Sequence, residues 1–336
     1  MKAIQIQEYV PGPLSLRVTS IPDPIPTADQ YLIAIKACAT NFFDLLQIRG
    51  KYQHQPPLPW TSGAEFSGII LSCPSSSSSP KFRPGDPVFG SSQGSYAQLI
   101  CCTESQIQPL PSGWNFLDAA GLFVTMPTSY AALITRANLQ AGEWVLVHAA
   151  AGGVGLAAVQ IAKARGATVI ATAGTKEKLE IAKRFGADFG VCYRENEDWT
   201  KEVLKLRPRG VDVVFDPVGL ISPSQKCIAW NGRLLVVGFA GGPIEKIATN
   251  RILLKNISVV GIHWGAYAKF EPQRIEEVWR ELLKLMENKE KIRPTNFTDK
   301  VYRGLEDVPK ALEALGGRET WGKVVVDLPE GRESRI

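Results

Sequence analysis

Trp144-Val145-Leu146-Val147-His148-Ala149-Ala150-Ala151-Gly152-Gly153-Val154-Gly155 carries the deciding pattern in this chain of 336 residues. A short apolar run gives way to alanine and glycine, and Val154 to Arg165 then places apolar residues at helical spacing, which reads as strand, tight turn and helix. Ala150, Gly152 and Gly155 fit A-x-G-x-x-G, the dinucleotide-binding G-x-G-x-x-G with alanine in its first place. Each later glycine has a physical task. Gly152 lets the backbone approach a pyrophosphate with no Cβ in the way, Gly155 lets the helix pack closely on the strand, and the helix start directs free N–H groups at the phosphates. The same letters occur in ordinary βα turns; the strand before, the helix after and a second strand at the right interval distinguish this one.

Outward from the turn, strands and helices alternate. Thr168–Thr172, Val191–Tyr193, Val211–Phe215, Arg233–Val237 and Ser258–Ile262 read as strands, and Lys176–Phe185 and Asp198–Leu206 as helices. With Trp144–His148 this makes six strands in βαβ rhythm, the pattern of a doubly wound parallel sheet. The first third differs. Tyr31–Lys36 and Phe66–Leu71 read as strands, the five serines between Pro74 and Pro80 as a solvated loop, and Arg83–Val88 as a turn feeding another strand. Past Trp264, Pro272–Glu287 and Leu305–Leu315 read as amphipathic helices, and Lys323–Asp327 as a late strand returning to the first third. The expected division is a discontinuous β-rich domain over 1–126 and 266–336 around a dinucleotide-binding domain over 127–265.

Cofactor choice is read at the end of the second strand, where an NAD site carries Asp or Glu for the ribose hydroxyls. Here the chain reads Gly174-Thr175-Lys176-Glu177-Lys178. No acid stands at the strand end and two lysines follow, which favours NADPH; as plain solvated residues the lysines would say nothing. Glu177 lies in the same turn and, on a helix, can face away.

A net charge of +5, 45% hydrophobic and 21% charged residues describe a globular protein and predict neither nucleic-acid nor membrane-surface binding. The six cysteines, Cys38, Cys73, Cys101, Cys102, Cys192 and Cys227, form no C-x-x-C pair, so neither a structural zinc nor a disulfide scaffold is expected, and reduced thiols in the cytoplasm are. The N-terminus reads as a strand rather than a signal peptide, and no apolar run is long enough to span a bilayer. Ser334-Arg335-Ile336 matches the form of a peroxisomal import tripeptide, which leaves cytoplasmic and peroxisomal locations both open.

His148–Gly155, Gln160-Ile-Ala-Lys163, Gly166–Gly174, Asn41-Phe-Phe-Asp44, Gly63-Ala-Glu-Phe-Ser-Gly68 and Leu253–Gly261 together resemble the zinc-free quinone oxidoreductases of the medium-chain dehydrogenase/reductase superfamily, over nearly the whole chain. The resemblance implies a GroES-like catalytic domain and a Rossmann domain holding NADPH, and it implies homodimers. It assigns Ala151, Gly152, Gly153 and Val154 to the pyrophosphate turn, and Gly174, Thr175, Lys178 and Tyr193 to the adenosine and 2′-phosphate side. Asn41, Thr128 and the loop Gly238-Phe239-Ala240-Gly241 fall to the nicotinamide half, and Arg318 to a basic contact near the phosphate. Where zinc-dependent members carry a Cys and a His, this chain has Asn41 and Ala64, so no metal is expected.

Without a metal to polarise a carbonyl, the chemistry implied is reduction of a quinone or of a carbon–carbon double bond conjugated to a carbonyl. Tyr52 is the candidate hydroxyl for proton delivery or substrate contact, or else a tyrosine packed before Pro56-Pro57. Asn41 is a candidate to hydrogen-bond a water or the substrate carbonyl. Two other readings stay open: an enoyl-thioester or alkenal reductase, and a nucleotide-binding protein without turnover.

Overall fold

The computed structural model describes residues 1–287 and 292–329. The chain divides into two compact units, one of 1–124 with 294–336 and one of 125–293. The helix Pro272–Met286, grouped by the sequence reading with the β-rich domain, belongs to the second unit. Its apolar stripe, Val278, Trp279, Leu282 and Met286, is buried, so the chain leaves this unit near Pro294 and not at 266. The tail Ser334-Arg335-Ile336 lies outside the described residues.

The second unit is a six-stranded parallel sheet. Its strands are Trp144–Val147, Thr168–Ala173, Phe189–Cys192, Val211–Asp216, Ile228–Val236 and Ser258–Gly261. Numbered in that order they lie side by side as 3-2-1-4-5-6, the Rossmann arrangement. Such a sheet is covered on both faces, and accordingly Val145, Leu146 and Val147 of the first strand are all fully buried. At its lower end Arg233 grips Glu143 with two parallel bonds of 2.9 and 2.6 Å, joining the first and fifth strands. Gln160 holds the exit of the unit by accepting from the Arg293 N–H at 2.9 Å and donating to the Arg293 carbonyl at 3.2 Å.

In the first unit the long strand Gln30–Ala39 is the hub. It pairs antiparallel with Glu65–Ser72, Leu99–Thr103 and Val325–Asp327. The late strand therefore returns as its pattern predicts, with Val326 opposite Cys38. Alternate side chains of these strands, among them Ile33, Ile35, Phe66 and Val326, form the core with Ile4 and Tyr96. A smaller sheet orders Val18–Ser20, Lys2–Ile6 and Trp60–Thr61. The return of 325–327 is what carries Lys323 to the start of the helix Phe42–Gln47, since the Thr40 N–H bonds the Val324 carbonyl at 2.9 Å.

Candidate functional site: the glycine turn and a buried ionic cluster

The first parallel strand ends at Val147, and the helix Gly153–Ala164 begins after an extended Gly152. Between them Ala149 takes a left-handed φ of +47°. The sequence reading put the departure from the glycine motif at Ala150, whereas the strained residue is its neighbour; an L-residue there costs about 1–2 kcal/mol. The two motif glycines answer different demands. A Cβ on Gly155 would stand 2.3 Å from the Ala149 carbonyl oxygen and 2.8 Å from the Ala150 Cα, so Gly155 is required for packing. A Cβ on Gly152 would meet only the Ala149 oxygen, at 3.3 Å, and otherwise project into open space. The first-turn N–H groups of the helix lack intrahelical acceptors by geometry and carry the positive end of its dipole.

His148 supports this turn from beneath. Its ring nitrogens meet the Thr172 hydroxyl at 2.8 Å and the Ser224 hydroxyl at 2.9 Å, and Trp199 packs edge-on at 5.0 Å. Burial drives its pKa down to about 3, so it is a neutral strut.

At the end of the second strand, Tyr193 follows the third strand and donates its N–H to the Ala173 carbonyl at 3.2 Å. A Cβ on Gly174 would lie 3.0 Å from the Tyr193 hydroxyl and 3.2 Å from Arg194 Nε, so both side chains overhang the glycine. Thr175 caps the helix Lys176–Arg184, its hydroxyl accepting from the Lys178 N–H at 3.3 Å. Lys176 is tied to Glu195 at 3.1 Å. The Glu177 carboxylate turns back on the helix start, held below its usual range by its own N–H and the Thr175 hydroxyl. The structure thus brings Gly174, Thr175, Lys178 and Tyr193 to one corner and adds Arg194, which the sequence reading passed over; adjacency to Tyr193 at a strand end was the available signal.

Beyond the fourth and fifth strands two loops interlock. The Ala240 N–H bonds the Pro217 carbonyl at 3.0 Å and the Gly241 N–H the Val218 carbonyl at 2.9 Å. A Cβ on Gly241 would stand 2.7 Å from the Val218 oxygen, which explains the glycine, while Phe239 is 42% exposed at the loop tip. The buried Asp216 carboxylate accepts from the N–H groups of Val218, Gly219 and Leu220 and shapes the facing loop. Thr128 sits half-buried in the helix Leu122–Tyr130.

In the first unit the candidates near Asn41 belong to a buried ionic cluster. The Lys323 ammonium donates to Glu65 Oε2 at 2.7 Å, to Asn41 Oδ1 at 2.8 Å and to the Thr40 carbonyl at 3.0 Å, so all three of its protons are used. Asn41 Nδ2 in turn donates to Glu65 Oε2 at 3.0 Å, and Glu65 Oε1 accepts from the Val124 N–H at 2.7 Å. The Asn41 amide is therefore fixed in orientation with one N–H left over. Asp44 Oδ2 accepts from the Asn41 N–H at 2.8 Å and from the Tyr96 hydroxyl at 2.6 Å, while its Oδ1 is buried with no partner among the described residues. Burial raises the Asp44 carboxyl to about 7, against the pull of Tyr96, Asn41 and Lys323. Burial, and after it the Asp44 charge, also pushes the Cys38 thiol up. Lys323 and Tyr96 were not singled out in the sequence, and Asp44 and Glu65 stood there only as members of quoted motifs, since the ionic cluster follows from pairings across the whole chain.

Tyr52 is half-buried with its ring stacked on Phe43 at 5.3 Å. Burial, then the Asp44 charge, raises its phenol, which keeps the proton in place at neutral pH. Arg318 is exposed at the end of the helix Val308–Gly316 with φ of +59°, its N–H on the Leu315 carbonyl at 3.1 Å. Among the described residues no three His, Cys, Asp or Glu side chains gather as metal ligands.

Residues 27–112 match the alcohol dehydrogenase GroES-like domain family, and 153–288 match the zinc-binding dehydrogenase family. The quinone oxidoreductase-like protein 2 homolog of Nematostella vectensis is 38% identical over 308 residues, covering 90% of this chain and 82% of that protein. The chain belongs to the quinone oxidoreductase family of the medium-chain dehydrogenase/reductase superfamily. Among solved structures, the Escherichia coli quinone oxidoreductase complexed with NADPH superposes with a TM-score of 0.85 at 28% identity, covering 97% of this chain and all of that one (100%). The CurK enoyl reductase superposes on this chain with a TM-score of 0.85 at 26% identity, covering 98% of this chain and 99% of that one. No helix among the described residues is long and apolar enough to cross a membrane.

Proposed function

We propose that the chain is an NADPH-dependent reductase of a quinone or a similar conjugated carbonyl acceptor, with the second unit holding the nucleotide and the first contributing to the acceptor side. The observation that carries this reading is the cleared Gly152 at the start of the helix Gly153–Ala164. The bound nicotinamide supplies the hydride; the protein orients it and supplies the electrostatics. Ala151, Gly152, Gly153 and Val154 receive the pyrophosphate. Gly174, Thr175, Lys178 and Tyr193 take the adenosine side, and Thr128 with Gly238, Phe239, Ala240 and Gly241 the nicotinamide half. On the first unit we assign the remaining Asn41 N–H to the nicotinamide half or the acceptor, Arg318 to a basic phosphate contact, and the protonated Tyr52 phenol to acceptor contact or proton delivery. The reading uses no metal, because Asn41 and Ala64 stand where zinc-dependent relatives carry a Cys and a His.

The likeness to an enoyl reductase supports a second reading, reduction of an enoyl thioester. An acceptor panel separates them. NADPH oxidation with 1,2- or 1,4-quinones and not with enoyl thioesters supports the first, and the reverse supports the second. Tight NADPH binding with no oxidation of any acceptor overturns both in favour of a binding protein.

A further inference from the structure

The corner after the second strand holds more charge than the family positions account for. Three cations lie near Gly174, and they differ in what already engages them. Lys176 is spent on Glu195 at 3.1 Å and is largely exposed. Lys178 follows the Thr175 cap, which its N–H donates to. Arg194 is exposed, and its guanidinium makes no hydrogen bond or ion pair to another described residue. Yet its Nε is placed 3.2 Å from where a Cβ on Gly174 would be, beside the Tyr193 hydroxyl at 3.0 Å. A donor pair overhanging a strand-end glycine, with no acceptor of its own, is arranged for an oxygen-rich anion that rests on the glycine.

The neighbouring helix start does not supply this role. The Glu177 N–H and the Thr175 hydroxyl already hold the Glu177 carboxylate, so the helix Lys176–Arg184 offers its positive end to its own side chain. A second negative charge entering there meets repulsion from Glu177. The Glu195 carboxylate after Arg194 is paired with Lys176.

We propose that Arg194, with the Tyr193 hydroxyl, is the principal reader of the NADPH 2′-phosphate, and that Glu177 works against it, so that the preference for NADPH over NADH is set by this opposed pair and not by Lys176. This rests on the nucleotide-binding reading above. A guanidinium presents a planar fork that matches phosphate oxygens, and its charge acts on the 2′-phosphate that NADH lacks.

The test is a titration of NADPH and NADH, followed by nucleotide fluorescence, against the full-length protein and the variants Arg194→Ala, Lys176→Ala and Glu177→Gln. Arg194 is exposed, so its variant keeps the melting temperature, which is checked alongside. Loss of a charge-assisted contact raises the NADPH dissociation constant about tenfold to a hundredfold, with that for NADH moving less than about threefold. Glu177→Gln tightens NADPH selectively, and Lys176→Ala leaves the preference in place. If the unaltered protein prefers NADPH and Arg194→Ala still does, this assignment falls and the NADPH reading survives. A protein with no preference for NADPH to begin with overturns both.

Discussion

Lys323 and Glu65, 258 residues apart in the chain, meet at 2.7 Å with side chains 4% and 0% exposed. Breaking such a pair from one side leaves a buried charge without a counter-ion, which costs about 3–5 kcal/mol. Lys323→Met is expected to lower the unfolding free energy, measured by urea titration, by an amount of that order. The double variant Lys323→Met, Glu65→Leu should recover much of the loss, because no charge is left stranded. A single variant within about 1 kcal/mol of the original protein would remove the pair from any structural role.

Asp44 gives a pH dependence of defined sign. Its folded pKa, about 7, lies above the ordinary carboxylate value, so the folded protein binds the extra proton and is favoured at low pH. That stability is full below the unfolded pKa and is lost as pH rises through 7. Between pH 5 and 8 the contribution falls by roughly 2–3 kcal/mol. Asp44→Asn should abolish this part of the profile, measured as the difference in unfolding free energy between the two proteins at each pH.

His148 acts with the opposite sign. Its folded pKa of about 3 lies below the ordinary histidine value, so the unfolded chain takes up a proton that the folded one refuses. Stability from this source is present above about 6.5 and declines on acidification, by roughly 2 kcal/mol at pH 5. The two groups therefore oppose each other, and a flat stability profile in the parent protein conceals both. Imidazole resonances of His148 should show no titration between pH 5 and 8; a midpoint near 6.5 would sink the account.

Gly152 and Gly155 should separate binding from stability. Gly155→Ala forces a methyl to 2.3 Å from a backbone oxygen and is expected to cost at least about 3 kcal/mol, or to prevent folding. Gly152→Ala, at an extended φ of −81°, should melt within a degree or two of the original by the ordinary scale of surface changes. On the proposed nucleotide-binding reading it should nonetheless weaken NADPH by at least about tenfold, since its methyl would enter the space assigned to the pyrophosphate. Calorimetric melting and nucleotide titration on the same samples decide it.

The sixth parallel strand, Ser258–Gly261, ends the sheet with a strand partner on one side only among the described residues. Leu253 and Leu254 just ahead of it are 79% and 71% exposed. An open strand edge beside exposed leucines is expected to close on a second copy of the chain. Sedimentation should find a dimer, and Leu253→Glu with Leu254→Glu should give a folded monomer.

Legibility in the sequence followed the range of the interaction. The six parallel strands could be read because Val145 to Val147, Val213 to Phe215 and their neighbours are buried on both faces and stay apolar throughout. The helix Pro272–Met286 could be read from its stripe, but not the unit it joins, since a stripe does not say which partner covers it. The glycine turn was visible with alanine in its first place, but the left-handed φ of Ala149 was not, because only the backbone reveals it. Lys323 looked like the polar start of a strand; its burial depends on 325–327 pairing with Ala37–Ala39, a contact no local pattern encodes. Arg194 was passed over because a lone arginine after a strand is ordinarily a solvated residue.

The return of Val325–Asp327 to the strand Gln30–Ala39 also sets an order in time. The stretch 125–293 is continuous, so a ribosome delivers everything that unit needs before the last strand of the other exists. During synthesis the unit of 125–293 can close first, while residues 1–124 wait with the carboxylate of Glu65 still lacking its ammonium. A ligand bound to 125–293 at that stage would stabilise one part of the nascent chain and leave the other to wait for residues 323–327 to emerge.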